Sequence, residues 1–474
     1  MNRKALCWLR LTIGASLLVG SGACQHVPPA PLDAAANGER LAARSLTAPF
    51  VQQALARHDL GLAADQSWSL DQLTLAAWLL RTDLAVARSE VAAARAATGV
   101  DSERRNPTVS TTTENVVDPD VENPWVIGAA LALTFELGHK REIREQRALA
   151  HEQALEWQFG QALWSARAEV RAALLDLAFA DELLSLDTEK ARLTRAFLAW
   201  VEARFERGAA TTSERLAALQ AVNESESRRQ IDNAATAKAS ATLAATIGVA
   251  PRELASSPAA LPPLTTLPTI AGDDVNAARG LALVNRLDVR RALAEYEVAE
   301  QDLRAAVASQ YPDLALAPGY LVDQADHKIT LGLDLPVPLF HNASATIQQA
   351  IAARALAAAK FDDVQASVLA AIDIGFAQYQ SSRSALAAAE QAERDATDAA
   401  SSLERQLAAG AANRGELLAR QIAVTDLRRK ALAARRAVLD ATTALENGVQ
   451  RPLFPSSALE PADVIRELLA ESSP

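Results

Sequence analysis

The sequence predicts a mainly α-helical protein with a membrane β portion, built from two copies of one unit in which a long helical hairpin joins a β-hairpin. Three observations predict it. Half of the 474 residues are hydrophobic and 22% are charged, with Ala abundant and aromatics at 4%, a globular composition suited to long, closely packed helices. Landmarks of the first half recur in order in the second. Two runs alternate apolar and other residues over about ten positions, the length a tilted strand needs to cross a bilayer. Lys and Arg number 47 against 58 Asp and Glu, a net charge of −11 without a basic stripe, which places nucleic-acid binding outside the expected functions.

The N-terminus is an export signal. Arg3, Lys4 and Arg10 precede the apolar run from Leu11 to Val19, and the small residues Ser21, Gly22 and Ala23 follow, giving a signal peptide over 1–23. Both cysteines fall within the first 24 residues, so the rest of the chain has no intramolecular disulfide and no Cys-ligated zinc. The residues before Cys24 resemble a bacterial lipobox, which implies lipidation of Cys24 and a lipid-anchored, extended segment over 24–69; ordinary cleavage nearby is the alternative. Beyond Cys24 no run of about 18 uncharged apolar residues predicts a transmembrane helix.

The duplication rests on spacing. Asn106-Pro107 and Tyr311-Pro312 lie 205 residues apart, as do Asp83-Leu84 and Asp288-Val289. Phe135-Glu136-Leu137-Gly138-His139 and Val337-Pro338-Leu339-Phe340-His341 lie 202 apart, and so do Gly208-Ala209-Ala210 and Gly410-Ala411-Ala412. Gly248-Val249 and Gly448-Val449 lie 200 apart. The first copy covers 70–250 and the second 275–453; the Pro-rich stretch 251–274 reads as a linker and 454–474 as a tail.

Each copy begins with a helical stretch, Leu70 to Ala97 and Val275 to Val307, followed by two strands. The second strand of each pair has the clearer period of two. In the first copy Ile127, Ala129, Leu131, Leu133, Phe135 and Leu137 share a face; in the second Ile329, Leu331, Leu333, Leu335, Val337 and Leu339 do. Ile127, Leu131, Leu133, Phe135, Ile329, Leu331, Leu333 and Leu335 are therefore the candidates to face lipid, although a half-buried strand of a soluble sheet would show the same alternation. Val109 to Val117 and Leu314 to Val322 are the partner strands. The acidic loop Val117 to Pro124 lacks the ligand spacing of a calcium site and reads as solvated.

From Lys140 to Arg207 there is no proline and a single glycine, Gly160, so a helix of about 100 Å is expected. It turns back at Gly208-Ala209-Ala210-Thr211, and the second copy turns at Gly410-Ala411-Ala412-Asn413. Gly suits a left-handed helix end, and Thr or Asn can cap the helix that follows. The helices alone would equally fit an antiparallel coiled coil.

With this anatomy and the strings Glu136-Leu137-Gly138-His139-Lys140-Arg141 and Pro336-Val337-Pro338-Leu339-Phe340, the chain resembles the TolC family of outer-membrane efflux channels from about Leu70 to Leu453, and most of all its CzcC-like heavy-metal branch. The resemblance implies a homotrimer with a 12-stranded barrel in outer-membrane lipid and an α-helical tunnel across the periplasm. It implies passive conduction of divalent heavy-metal ions, with a periplasmic adaptor and an inner-membrane resistance-nodulation-division pump as partners. The glycine turns would form the periplasmic tip, where Arg204, Gly208 and Gly410 dock the adaptor. A multidrug channel of the same family, or a periplasmic helical-hairpin adaptor, are the other readings.

No phosphate loop, nucleophile elbow or His-Glu-x-x-His string is present, so no catalytic residue, cofactor or resident metal is expected. Carboxylates such as Glu224 and Glu226 read as solvated helix faces. His139 and His341 stand where strand becomes helix and read as polar caps of helix starts.

Overall fold

A computed structural model of the chain describes residues 27–61, 67–117, 124–323, 326–339, 342–453 and 467–469. Residues 27–44 form a unit of their own. In it, the Asp33 carboxylate accepts hydrogen bonds from the N–H groups of Ala35 and Ala36 and starts α1, Ala34–Ala42. Those amides have no partner within the first helical turn.

From Ser45 onward the order is α2 (Pro49–Arg57), α3 (Leu70–Leu80), α4 (Thr82–Asp101), β1 (Thr108–Asn115), β2 (Trp125–Phe135), α5 (Lys140–Phe205) and α6 (Thr212–Ile247). After the short α7 (Pro251–Ser256) the pattern repeats as α8 (Gly272–Asn285), α9 (Leu287–Ala308), β3 (Leu314–Asp323), β4 (Asp326–Asp334), α10 (Ser344–Ala408) and α11 (Arg414–Val449). The long helices have 66 and 65 residues, each about 100 Å at 1.5 Å per residue, and the return helices have 36 each.

Several expectations change. The stretches read as single helices, Leu70 to Ala97 and Val275 to Val307, are each two, because Arg81 and Arg286 take an extended backbone between them. The landmark at an offset of 200 is not the structural one. Both return helices begin and end 202 residues apart, and the left-handed residue that ends them is Gly248 in one copy and Gln450 in the other. The segment 24–69 is not simply extended, since α1 and α2 lie in it. Pro251–Ser256 of the linker is helical, with its proline in the first turn, where no N–H is needed.

The four strands make one antiparallel sheet in the order β1-β2-β3-β4, so the two hairpins are joined by β2 and β3. β2 stops at Phe135 and β4 at Asp334, short of Leu137, Val337 and Leu339. Gly138 has φ 74°, which turns the chain out of the sheet, and Pro336 and Pro338 have no N–H to give to a ladder.

The main core lies around the first copy. Val51 and Leu55 of α2, Leu73 and Trp78 of α3, Phe159 and Leu163 of α5, and Leu243 and Ile247 of α6 are buried together, and Leu468 and Leu469 of the tail join them. The Trp78 indole N–H donates to the Leu163 carbonyl at 2.9 Å, so the largest buried ring leaves no donor unpaired. Val289, Val368, Ile372 and Leu445 form a smaller core in the second copy. Among the described residues no helix is long and apolar enough to cross a membrane.

Candidate functional site: the sheet faces, the junction and the helix tips

Residues paired directly across antiparallel strands share a face. The register therefore places Val109, Ile127, Ala129, Leu131, Leu133, Phe135, Leu316, Tyr320, Val322, Ile329, Leu331 and Leu333 on one side of the sheet. Of the expected lipid-facing residues, Ile127, Leu131, Phe135, Ile329, Leu331, Leu333 and Leu335 are exposed, and Leu133 is half-buried. Leu335 lies one position beyond β4. Exposed Trp125 and Tyr320 stand toward one end of this face and Phe135 at the other.

The opposite side carries Thr108, Ser110, Thr112, Gly128, Ala130, Thr134, Gly319, Thr330 and Gly332, and the carboxylates of Glu114, Asp323 and Asp326 lie in one row at its turn end. It borders a hollow of about 550 Å³. A Cβ on Gly319 would fall 2.7 Å from Thr330 Oγ1 and 2.9 Å from Ala130 Cβ, so the strands converge on this side as they do on the inside of a curved sheet. The outer edges, β1 and β4, have no strand partner among the described residues.

Where β2 gives way to α5, charges knit the two copies together. Glu136 accepts two hydrogen bonds from Arg144, at 2.7 and 3.0 Å, and lies 3.1 Å from Arg105. The Arg144 guanidinium, outweighing burial, holds the Glu136 carboxyl below the usual carboxylate range. Lys140 Nζ donates to Asp313 Oδ1 and to the Tyr311 carbonyl, both at 2.6 Å, just before β3 begins. Glu136 thus ties the end of β2 to α5 and to Arg105 within the first copy, while Lys140, and Arg105 at 3.7 Å from Asp313, tie that junction to the second copy.

The expectation that His139 caps α5 is corrected. It holds the N-cap position with φ 59°, yet its side chain makes no capping hydrogen bond; Nδ1 instead lies 3.3 Å from Glu142. In the second copy the N-cap is Ala343, also left-handed at φ 58°. His341 lies outside the described residues, as do Cys24 and Asp118 to Asn123 of the acidic loop.

At the tips, Gly208 and Gly410 have φ 69° and 75°. Each ends its helix with a crossed pair of bonds: Gly208 N–H donates to Phe205 O and Ala209 N–H to Arg204 O, while Gly410 donates to Leu407 O and Ala411 to Gln406 O. Thr211 with Glu214, and Asn413 with Glu416, then form reciprocal caps for the return helices. Arg204 donates to Ala209 O at 2.5 Å and lies over the Trp200 ring, 4.7 Å from its centroid. Its positional counterpart is Gln406; Arg405 reaches back to Ser401 O at 3.4 Å and does not reproduce the contact. Trp200 also fits against Gly415, where any Cβ would enter its ring, so the two tips are packed together.

Three features escaped the sequence reading. Arg81 grips Asp83 with Nε and Nη2, and its Nη1 reaches the Thr246 carbonyl at 3.5 Å. Arg286 grips Asp288 in the same way and reaches the Asn447 carbonyl at 3.0 Å and that of Gly448. Each arginine thus neutralises a return helix's last carbonyls. Buried Glu446 of α11 accepts from Arg167 Nη1 at 2.6 Å and from Arg171, both on α5. Arg429 of α11 contacts Asp187 of α5 and Asp232 of α6. Among the described residues no cluster of His, Cys, Asp or Glu is arranged to hold a metal ion.

The model of the outer membrane efflux protein family matches residues 76–249 and 278–448, one segment for each copy. The chain belongs to that family. This efflux protein also shares its fold with solved outer-membrane channels. VceC of Vibrio cholerae aligns at 18% identity with a TM-score of 0.66, over 81% of this chain and 97% of that one. The CmeC channel of Campylobacter jejuni gives 14% and 0.67, over 94% and 97%. CusC gives 14% and 0.65, over 90% and 100%. No curated protein matches the chain. As a member of the family it is an outer-membrane efflux channel protein, a transport duct.

Proposed function

We propose that three copies of this chain close a 12-stranded barrel in the outer membrane, continued into the periplasm by the long helices, and that the assembly is the passive exit duct of a tripartite efflux system. The observation that carries this is the four-stranded sheet with an exposed apolar face and open edges at β1 and β4. Open edges in hydrocarbon leave backbone groups without partners at several kcal/mol each, so further strands must complete the ring. Ile127, Leu131, Leu133, Phe135, Ile329, Leu331, Leu333 and Leu335 then face lipid, with the Thr, Gly and Ala side toward the lumen. Cys24 is the lipidated N-terminus, and the tips at Arg204, Gly208 and Gly410 meet a periplasmic adaptor that delivers substrate from an inner-membrane resistance-nodulation-division pump.

We assign divalent transition-metal ions as the substrate, from the likeness of the strings at Glu136 to Arg141 and Pro336 to Phe340 to the heavy-metal branch. The only Met is Met1, within the signal peptide, so the wall has no thioether ligands for soft monovalent metals. Deleting the gene should raise sensitivity to zinc, cobalt, nickel or cadmium. Sensitivity to hydrophobic drugs alone, with metal tolerance unchanged, overturns the metal assignment and favours the multidrug reading. Complete release of the protein from membranes by salt, without detergent, would overturn the channel reading in favour of a periplasmic adaptor.

A further inference from the structure

The helical wall contains a charged cluster, away from the sheet and the tips, that joins the two copies. Asp187 projects from α5, Asp232 from the return helix α6 of the same copy, and Arg429 from α11 of the other copy. Both carboxylates are more than nine-tenths buried. Arg429 Nη1 touches Asp187 Oδ2 and lies 3.3 Å from Asp232 Oδ2, so a single nitrogen serves both acids. The cluster lies 18 residues before the end of α5 at Phe205, about 27 Å along the helix, well removed from the tip.

The surrounding charges are engaged elsewhere or act on only one of the acids. Lys190 of α5 pairs with Asp426 of α11 at 2.6 Å. Arg229 of α6 pairs with Glu226, and Arg428 of α11 lies 3.7 Å from Glu393 of α10. Arg228 of α6 favours ionisation of Asp187. One cation is thus shared by two acids in a packed junction, where two bare carboxylates repel and a single shared proton removes the excess charge.

We propose that Asp187, Asp232 and Arg429 form a proton-operated brace that binds the return helix of the second copy to the hairpin of the first while one proton is shared, and loosens it when that proton leaves. In the braced state Asp232 is the protonated partner and donates to Asp187, which also accepts from Arg429, so the cluster is neutral. Burial, followed by the hydrogen bond to Asp187, pushes the Asp232 carboxyl up to about 6. Burial alone would raise Asp187 as well, but the bonds from Asp232 and Arg429 hold it below the ordinary carboxylate value. The sign follows. Asp232 binds its proton more tightly in the folded chain, so its contribution is lost as pH rises from its ordinary value near 3.8 through about 6. Asp187 contributes while ionised and fails only as pH falls below its ordinary range. The brace is firm in mild acid and slack at neutral pH, which makes it a pH-responsive element of the wall whatever the duct carries.

The test uses full-length protein in detergent, with spin labels on N233C and A423C, exposed positions of α6 and α11. The distance distribution between them should be narrow below pH 6 and broaden above it. D232N, which fixes the neutral form, should stay narrow from pH 5 to 8. D187N removes the repelling acid and leaves Asp232 alone with Arg429, so its transition should move below pH 5. An unchanging wild-type distribution, a D232N curve that titrates like the wild type, or a D187N midpoint still near 6 overturns the brace. Since conduction is not measured, such a failure leaves the duct assignment untouched.

Discussion

Glu446→Ala removes the carboxylate shared by Arg167 and Arg171. Glu446 is 1% exposed, accepts from Arg167 Nη1 at 2.6 Å and from Arg171, and joins α11 of the second copy to α5 of the first. Deleting one member of a buried ionic group typically costs about 3–5 kcal/mol, because the opposite charges remain desolvated without their partner. Here two guanidiniums would be left beside each other, with Arg167 already stacked 5.4 Å from the Trp164 centroid. Burial, outweighing the pull of Glu446, already lowers the Arg171 guanidinium from its ordinary value. Arg167 Nε has no hydrogen-bond partner, so the group is incompletely satisfied and its net worth over an apolar packing is small. The expected result is a loss of about 3–5 kcal/mol for E446A, less for E446Q, and recovery of most of it in the triple variant E446L/R167M/R171L. Guanidinium unfolding of the detergent-solubilised protein, followed by helical circular dichroism, measures this. An E446A midpoint equal to the wild type, or a triple variant no more stable than E446A, refutes the reasoning.

Four further outcomes are expected. Nothing lies within 4 Å of a Cβ added to Gly208 or Gly410, so Gly208→Val and Gly410→Val should cost the backbone strain alone, about 1–2 kcal/mol each, and weaken adaptor binding in pull-down; normal efflux by both variants sinks the docking role. Gly319→Val forces atoms against Thr330 and Ala130, and the trimer captured by cross-linking in detergent should diminish; wild-type amounts would remove the curved-sheet argument. Because Glu136 is held below its ordinary value, the junction's stability is full above the usual carboxylate range and lost as pH falls through the lowered one. Glu136→Gln should abolish that acid-dependent step in a thermal-unfolding series from pH 3 to 6, and a persistent step assigns it elsewhere. Mass spectrometry of the mature protein should find Cys24 acylated at the N-terminus, and an unmodified end removes the anchor.

What could be read from the chain was what repeats. The alternation from Ile127 to Phe135 and from Ile329 to Leu335 gave the strands and their faces, because a period of two needs no knowledge of partners. Gly208 and Gly410 marked the tips, because few residues accept a left-handed helix end. The breaks at Arg81 and Arg286 were missed although the signal was there: both precede the Asp83 and Asp288 landmarks by two positions, and Arg-x-Asp recurring at an offset of 205 is a clamp written twice. The ends of β2 and β4 were overrun because alternation continues through Gly138 and past Pro336, where backbone geometry stops the ladder. Glu446 and the Asp187, Asp232 and Arg429 cluster left no trace. Their partners lie some 200 to 280 residues away on helices whose polar positions all look alike in sequence.

The pairing of β2 with β3 has a consequence for ancestry. That seam joins the last strand of one copy to the first strand of the next, which is the same join that β4 of one chain would have to make with β1 of its neighbour. A half-length forebear with one hairpin would already possess both halves of the seam, and six such molecules would close the ring proposed for three doubled chains. Fusing two of them would cut the encounters needed to finish the proposed barrel from five, for six molecules, to two, for three. It also frees the copies to diverge, as Arg204 and Trp200 have from Gln406 and Ser402 at the tips.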